Sequence, residues 1–204
     1  MWLQWAKRLH AIASTGLFFG KEAFDKERYQ QVADIASAML GALGDVPIER
    51  ISELFPDHAQ GYATPKVDVR GALIRGDQVL LVKEKSDGLW ALPGGYADVG
   101  LSAAQNVVKE IQEEATLAVR AVKLFAVRHK AKHAYQQDAR DFYKFFFLVE
   151  EAGAQAPCAG YEVEAAKFFP AEQLPDLSTG RTLAADIQAA FACKRATAFE
   201  TLFD

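Results

Sequence analysis

The 204-residue sequence predicts an α+β chain in which a small all-helical segment precedes a mixed sheet with helices packed on it. Three observations point there. Apolar residues recur at helical spacing up to about Leu54 and at strand spacing after Pro65, and a glycine turn leading into a carboxylate-rich helix interrupts the strands. The expected domains are a helical one at residues 1–60 and a sheet-containing one at 66–204, with Pro56 to Pro65 as the linker between them.

Trp2, Trp5, Leu9 and Ile12 mark the first helix, and Tyr29, Val32, Ile35, Met39 and Leu43 mark the second. Asp25 is the expected N-cap of the second, and Gly41 with Gly44 supplies its stop signal. Pro47 opens a third short helix that runs to Phe55. The Trp2/Trp5 stripe reads as a packing face, against the second helix or another subunit, in preference to a membrane-surface anchor. Beyond the linker, Val67 to Ile74 alternates, Arg75-Gly76-Asp77 turns the chain, and Val79 to Val82 returns as the second strand of a hairpin. After the glycine turn and its helix come β-rich stretches at Ala118 to Val127, Phe142 to Glu150 and Glu162 to Phe169. Leu183, Ile187, Ala190 and Phe191 mark a last helix.

Half of the residues are hydrophobic, which is ample for a buried core, while the longest apolar runs fall far short of the roughly 20 residues a bilayer crossing requires. Lys7, Arg8 and His10 interrupt the apolar character of MWLQWAKRLH, so it lacks the core of a signal peptide and a cytoplasmic protein is expected. Cys158 and Cys193 show no C-x-x-C spacing and read as reduced thiols. The formal charge is −4, and residues 1–60 carry six Lys/Arg against eight Asp/Glu, which speaks against binding a nucleic-acid backbone.

The chemistry-bearing run is LPGGYADVGLSAAQNVVKEIQEEATL, from Leu92 to Leu117. Glu110, Glu113 and Glu114 stand at i, i+3 and i+4, so they share a helix side with Cβ atoms roughly 5–6 Å apart, at a cost on the order of 0.2–0.5 kcal/mol per like-charged pair. Alone, such a trio equally reads as a solvated helix face. Set behind Gly94-Gly95, it reads as a site for a hard divalent cation, Mg²⁺ or Mn²⁺. The glycines let backbone approach the ions and phosphates, and a carbonyl near Gly94 can complete the metal shell.

Those residues resemble the signature of Nudix hydrolases, G-x5-E-x7-R-E-U-x-E-E-x-G-U with U a bulky aliphatic. Gly95, Glu110, Ile111, Glu113, Glu114 and Leu117 fall in register, whereas Leu101, Lys109 and Thr116 replace the first Glu, the Arg and the late Gly. Lys109 keeps a positive charge without the two-pronged grip of a guanidinium. A left-handed residue at Thr116 costs a β-branched side chain roughly 1–2 kcal/mol, so the helix is expected to end by another route. The stretches WLQWAKRLHAIASTGLFFGKEAFDKERY, YATPKVDVRGALI, LWALPGGYADVGLS and LPDLSTGRT further resemble a bacterial Nudix subgroup with a helical N-terminal domain. The resemblance implies a Nudix α/β/α sandwich with a mixed sheet, and a homodimer through the N-terminal helices. It also implies Mg²⁺- or Mn²⁺-dependent hydrolysis of a nucleoside diphosphate linked to another moiety, of the ADP-ribose or CDP-choline type, releasing a nucleoside monophosphate. Sanitation of nucleoside triphosphates and non-catalytic nucleotide sensing are the alternatives.

Candidate roles follow. Glu110, Glu113, Glu114 and Gly94 are the expected metal ligands, and Glu113, Glu114 and Glu164 the expected catalytic residues, with Glu164 set ahead of Glu162 as the base. Arg70 suits a phosphate contact, and equally an ion pair on a neighbouring strand. Gly95 borders the phosphates, and Tyr96, Tyr143 and Trp90 are candidate stacking surfaces, although Trp90 and Tyr143 read more readily as core. His129 and His133 read as members of a solvated loop over residues 129–141, a candidate substrate lid.

Overall fold

The change of periodicity near Pro65 is also where the chain divides in the computed structural model, which describes residues 1–44, 63–153 and 155–204. One unit comprises Met1–Pro65 with the short stretch Asp138–Asp141, and the other comprises Lys66–Gln137 with Phe142–Asp204. The helix expected from Pro47 to Phe55 and most of the expected linker lie outside the described residues.

In the first unit, α1 (Trp2–Phe19) and α2 (Ala23–Gly44) pack as a hairpin whose buried faces are built mainly of small residues. Ala6 and Ala13 of α1 and Ala33 and Ala36 of α2 are buried, with Leu40. Gly16 lies so close to the Tyr29 ring that an added Cβ would sit 2.3 Å from it. The large apolar stripe faces outward instead: Trp2 is 62% exposed, Ile12 52% and Ile35 60%. Of the two packing faces expected for the stripe, it is not the contact with α2, because the alanine rows there allow the closer approach. Asp25 lies in the first turn of α2, not at its N-cap; there its charge still suits the positive helix end. Gly41 lies within α2 and does not stop it.

The second unit is a seven-stranded sheet between two helices. β1 (Lys66–Arg75) and β2 (Gln78–Glu84) form the expected hairpin, turning at Gly76, whose φ is +58°. They pair only at Ile74–Val79 and Arg75–Gln78 before β2 diverges to pair with β3 (Trp90–Ala91) and β6 (Val163–Pro170). The edge of β1 that β2 vacates is taken by residues 93–97. Gly71 N–H donates to the Pro93 carbonyl, Val69 N–H to Gly95 and Ala97 N–H to Val67, at 2.8–3.0 Å. The other edge of β1 pairs in parallel with β5 (Phe142–Glu151), followed by β4 (Val119–His129) and β7 (Leu202–Phe203).

β1 is buried on both faces from Asp68 to Ile74, since each face carries a helix, so the alternation read from its sequence does not become a wet side and a dry side. α3 (Ala103–Ala115) covers Val69 and Leu73 with Val107, Ile111 and Ala115. α4 (Ala184–Arg195) covers Ala72, Ile74, Phe125 and Phe146 with Ile187 and Phe191. Gly71 sets the depth of α3, because a Cβ there would lie 2.5 Å from Ile111 Cδ1. This is the expected α/β/α sandwich.

The end of α3 departs from expectation. Thr116 does adopt the left-handed conformation, with φ 55° and ψ 28°. Its N–H donates to Gln112 O at 3.1 Å, and its hydroxyl is placed 2.7 Å from Ala115 O and 3.1 Å from Cys158 O. The incoming chain also donates from Cys158 N–H to Ala115 O and from Gly160 N–H to Glu114 O, both at 3.0 Å. The main-chain bonds satisfy carbonyls that a helix end leaves open, the one hydroxyl hydrogen serves one of its two neighbouring oxygens at a time, and a bond of this kind offsets about 0.5–1.5 kcal/mol of the strain.

Candidate active site

Ser102 starts α3 with a capping box: its hydroxyl accepts from Gln105 N–H at 3.2 Å and Gln105 Oε1 accepts from Ser102 N–H at 2.8 Å. Its S-x-x-Q spacing is that of a capping box. Fully buried Asn106 ties down the approach, accepting from Asp98 N–H at 2.8 Å. With its start fixed and its apolar face on β1, α3 turns Glu110 and Glu114 inward at its flank, where they are 9% and 4% exposed. Glu113 stays at the surface, bonded at 2.7 Å to Lys109, which also reaches Asp98 at 3.2 Å. These acids hold the Lys109 ammonium above its ordinary pKa.

The glycine turn meets the two inward acids. Gly94 N–H donates to Glu114 Oε2 at 2.8 Å. No L side chain fits there, since φ is +141° and a Cβ would lie 2.0 Å from Val69 O. At Gly95 an added Cβ would come within 3.0 Å of Glu110 Oε2, so its hydrogen leaves the space before that carboxylate open. The Pro93 and Gly95 carbonyls are used by β1.

Burial pushes Glu114 up to about 8, with Glu84 and Glu110 adding repulsion against the help of Arg70 and the Gly94 N–H. Burial also raises Glu110, reinforced by Glu113 and Glu162. Among the described residues no three acid, His or Cys side chains converge as a preformed metal cage. The donor set nevertheless fits a hard cation. Two desolvated carboxylates face a space that glycine keeps clear, and carboxylate oxygens are the ligands that such a cation takes.

Arg70, 4% exposed, is not presented to solvent. It grips Asp68 with two bonds, Nε to Oδ1 at 3.1 Å and Nη2 to Oδ2 at 3.0 Å, and donates from Nη1 to Leu92 O at 3.0 Å. Burial opposes its charge, and the Asp68 carboxylate outweighs burial, holding Arg70 above its ordinary value. Asp68 also accepts from Lys144 at 2.6 Å, and burial pulls that ammonium down to about 8. Glu84 lies 3.8 Å from Arg70 Nη1 and 3.0 Å from Arg181 Nε. Of the two readings of Arg70, the geometry matches an acid-paired residue, and the acid stands on its own strand rather than a neighbouring one.

Glu164 is paired with Lys83 at 2.6 Å. Glu162, ranked behind it from sequence, lies near enough to Glu110 to raise its pKa and accepts from the Tyr161 hydroxyl. Tyr96, 50% exposed, stacks on Phe142 with centroids 5.6 Å apart and planes at 8°. Tyr143 is 44% exposed, which corrects its reading as core, whereas Trp90 packs edge-on against Phe169. His133 is engaged by Asp204, which also accepts from His129 N–H. Sequence reasoning missed Asp68, Lys144, Glu84, Arg181 and Thr182; only the segment LPDLSTGRT, noted for resemblance, pointed at the last two.

Residues 64–190 match the NUDIX domain, and residues 1–55 match the UDP-X-like N-terminal oligomerisation domain. The Bacillus subtilis (strain 168) protein YjhB, named as a proposed ADP-ribose pyrophosphatase, is 40% identical over 203 residues, covering 100% of this chain and 97% of its own. A solved UDP-X diphosphatase is similar over 100% of this chain and 98% of its own, at 30% identity and a TM-score of 0.64. A solved ADP-ribose pyrophosphatase from Streptococcus suis 89-1591 covers 69% of this chain and 100% of its own, at 39% identity and a TM-score of 0.62.

Proposed function

The chain belongs to the NUDIX family as a pyrophosphohydrolase, and from that premise we propose that it hydrolyses the diphosphate bridge of a nucleoside diphosphate linked to a second moiety, ADP-ribose first among them. The observation that carries this reading is the pair of buried carboxylates, Glu110 and Glu114, facing a turn at which glycine excludes every side chain. The names of the relatives support the linked diphosphate. A UDP-linked substrate is the second reading, favoured by the whole-length similarity to the UDP-X diphosphatase.

Glu110, Glu113 and Glu114, with the Gly94 carbonyl, would hold Mg²⁺ or Mn²⁺. Such an ion supplies Lewis acidity toward the phosphoryl oxygens and a lowered pKa for water. The oxygen of water bonds one phosphorus, the bridging P–O bond breaks, and a nucleoside monophosphate leaves with the phosphorylated second moiety. Glu162, on the Glu110 side, is better placed than Glu164 to accept the proton of that water. Arg70 balances the charge of Glu114 from behind the glycine turn. Gly95 leaves room for the phosphates, and Tyr96 on its Phe142 backing, with Tyr143, offers a flat exposed surface to the base. The exposed stripe of α1 is the face through which two copies pair.

Incubation with ADP-ribose, CDP-choline, a UDP-linked sugar and nucleoside triphosphates, with Mg²⁺, Mn²⁺ or EDTA, tests the proposal. We expect metal-dependent monophosphate release from a linked diphosphate, and a loss in kcat of at least about a hundredfold in Glu113→Gln. Release from no linked diphosphate, or preference for triphosphates, overturns it.

A further inference from the structure

Leu92 is where the chain changes sheets. Residues 90–91 pair with β2, residues 93–97 pair with β1, and Leu92, fully buried, is the link between them. No ladder partner is at hand at such a crossing, and the next residue, Pro93, has no N–H. Both backbone groups of Leu92 are met by side chains from distant segments. Its N–H donates to Thr182 Oγ1 at 3.0 Å and its carbonyl accepts from Arg70 Nη1 at 3.0 Å. Thr182 itself is 0% exposed.

The segment carrying Thr182 is strapped to the same strand. Ser178 N–H donates to Trp90 O at 2.8 Å, and Trp90 N–H to Asp176 O at 3.0 Å. Arg181 closes the strap, with Nε 3.0 Å from Glu84 Oε1, Nη1 3.1 Å from Asp87 Oδ2 and Nη2 2.9 Å from Ser86 Oγ. Gly94, whose N–H meets Glu114, follows two residues after the pinned peptide.

We propose that Thr182 and Arg70 are positioning residues that clamp Leu92 from its two sides and thereby set the glycine turn against Glu114, with the Arg181–Glu84 pair bracing the clamp. The proposal rests on the hydrolase reading for its kinetic consequence only. A misplacement of about 1 Å in such a turn costs up to about a hundredfold in rate, and outer-shell partners of metal ligands are worth about tenfold to a hundredfold in metal affinity.

The test compares Thr182→Val, which keeps shape and loses the acceptor, with Thr182→Ser, which restores it, and with Arg181→Met at the partly exposed brace. Three quantities are read: kcat and KM for ADP-ribose, Mn²⁺ affinity by electron paramagnetic resonance, and amide exchange at Leu92 and Gly94 by NMR. Thr182→Val lowers kcat by about tenfold to a hundredfold with KM little changed, weakens Mn²⁺ by about tenfold and speeds both amides; Thr182→Ser recovers all three. Arg181→Met moves them the same way by less, and decides the matter if Thr182→Val does not fold. Wild-type values in Thr182→Val or, failing its folding, in Arg181→Met overturn the clamp. So does a Thr182→Ser as impaired as Thr182→Val, which assigns the effect to packing. If the wild type cleaves no linked diphosphate, the hydrolase reading falls, while the Mn²⁺ and exchange measurements still judge the clamp.

Discussion

Glu114 ties stability, pH and metal together in one measurable quantity. Burial holds its pKa at about 8 in the folded protein against the ordinary 4.5. Between those values the folded state keeps a proton that the unfolded chain has released, so this group's contribution is full below about pH 4.5 and is lost as pH rises toward 8. At about 1.4 kcal/mol per pH unit the loss amounts to as much as about 4 kcal/mol by pH 8. Urea unfolding of the metal-free protein from pH 5 to 8.5, beside Glu114→Gln, isolates it, because the amide still accepts from Gly94 and has nothing to release. The wild-type curve should fall relative to the variant's across this window and flatten above pH 8. Mn²⁺ should restore the wild type more than the variant, and calorimetry in two buffers at pH 7 should count close to one proton expelled per ion bound. Parallel pH curves for the two proteins, or metal binding without proton release, would refute the reasoning.

Thr116→Val keeps the left-handed strain and loses the hydroxyl bonds, so thermal melting should show a cost of about 1–3 kcal/mol, whereas Thr116→Gly should stay within about 1 kcal/mol of wild type. Tyr96→Ala removes the exposed stacking ring and should raise KM for the nucleotide by about tenfold or more with kcat little changed, read from initial rates. Trp5→Glu with Leu9→Glu charges the outward stripe of α1 and should convert a dimer to a monomer in light scattering; a wild-type monomer ends that proposal.

Much of this architecture is legible in the sequence because long elements write themselves in hydrophobic period. The hairpin about Gly76, β4, β5, β6 and the last helix all fall within a residue or two of their expected bounds. β3 and β7 are two residues each, too short to carry a period, and exist through pairing alone. Period also reveals that a helix has an apolar face without naming what covers it, which is why the stripe of α1 reads equally as a face for α2 or for another subunit. The carboxylates of α3 could be read because their spacing is local. The partners of Arg70 could not: Lys144 meets Asp68 only through the parallel register that sets β1 beside β5, and Leu92 is reached from Thr182 across 90 residues. Thr116 illustrates the opposite error, in which a correct local cost was outweighed by bonds to a segment 42 residues later.

The bonds from Cys158 and Gly160 onto the last turn of α3 have a mechanical corollary. Gly160 donates to the carbonyl of Glu114 and fits there only because a Cβ would lie 1.6 Å from the carbonyl of Glu113. The chain is thus fastened two residues before Glu162 to the very peptides that bear Glu113 and Glu114. Glu162 is thereby indexed to the end of α3 just before the chain enters β6, which is itself paired with β2, so this connection ties the helix to the sheet at the carboxylate end. The spacing between Glu162 and the carboxylates of α3 is thus set by main-chain bonds at the helix end and not by the side chains alone.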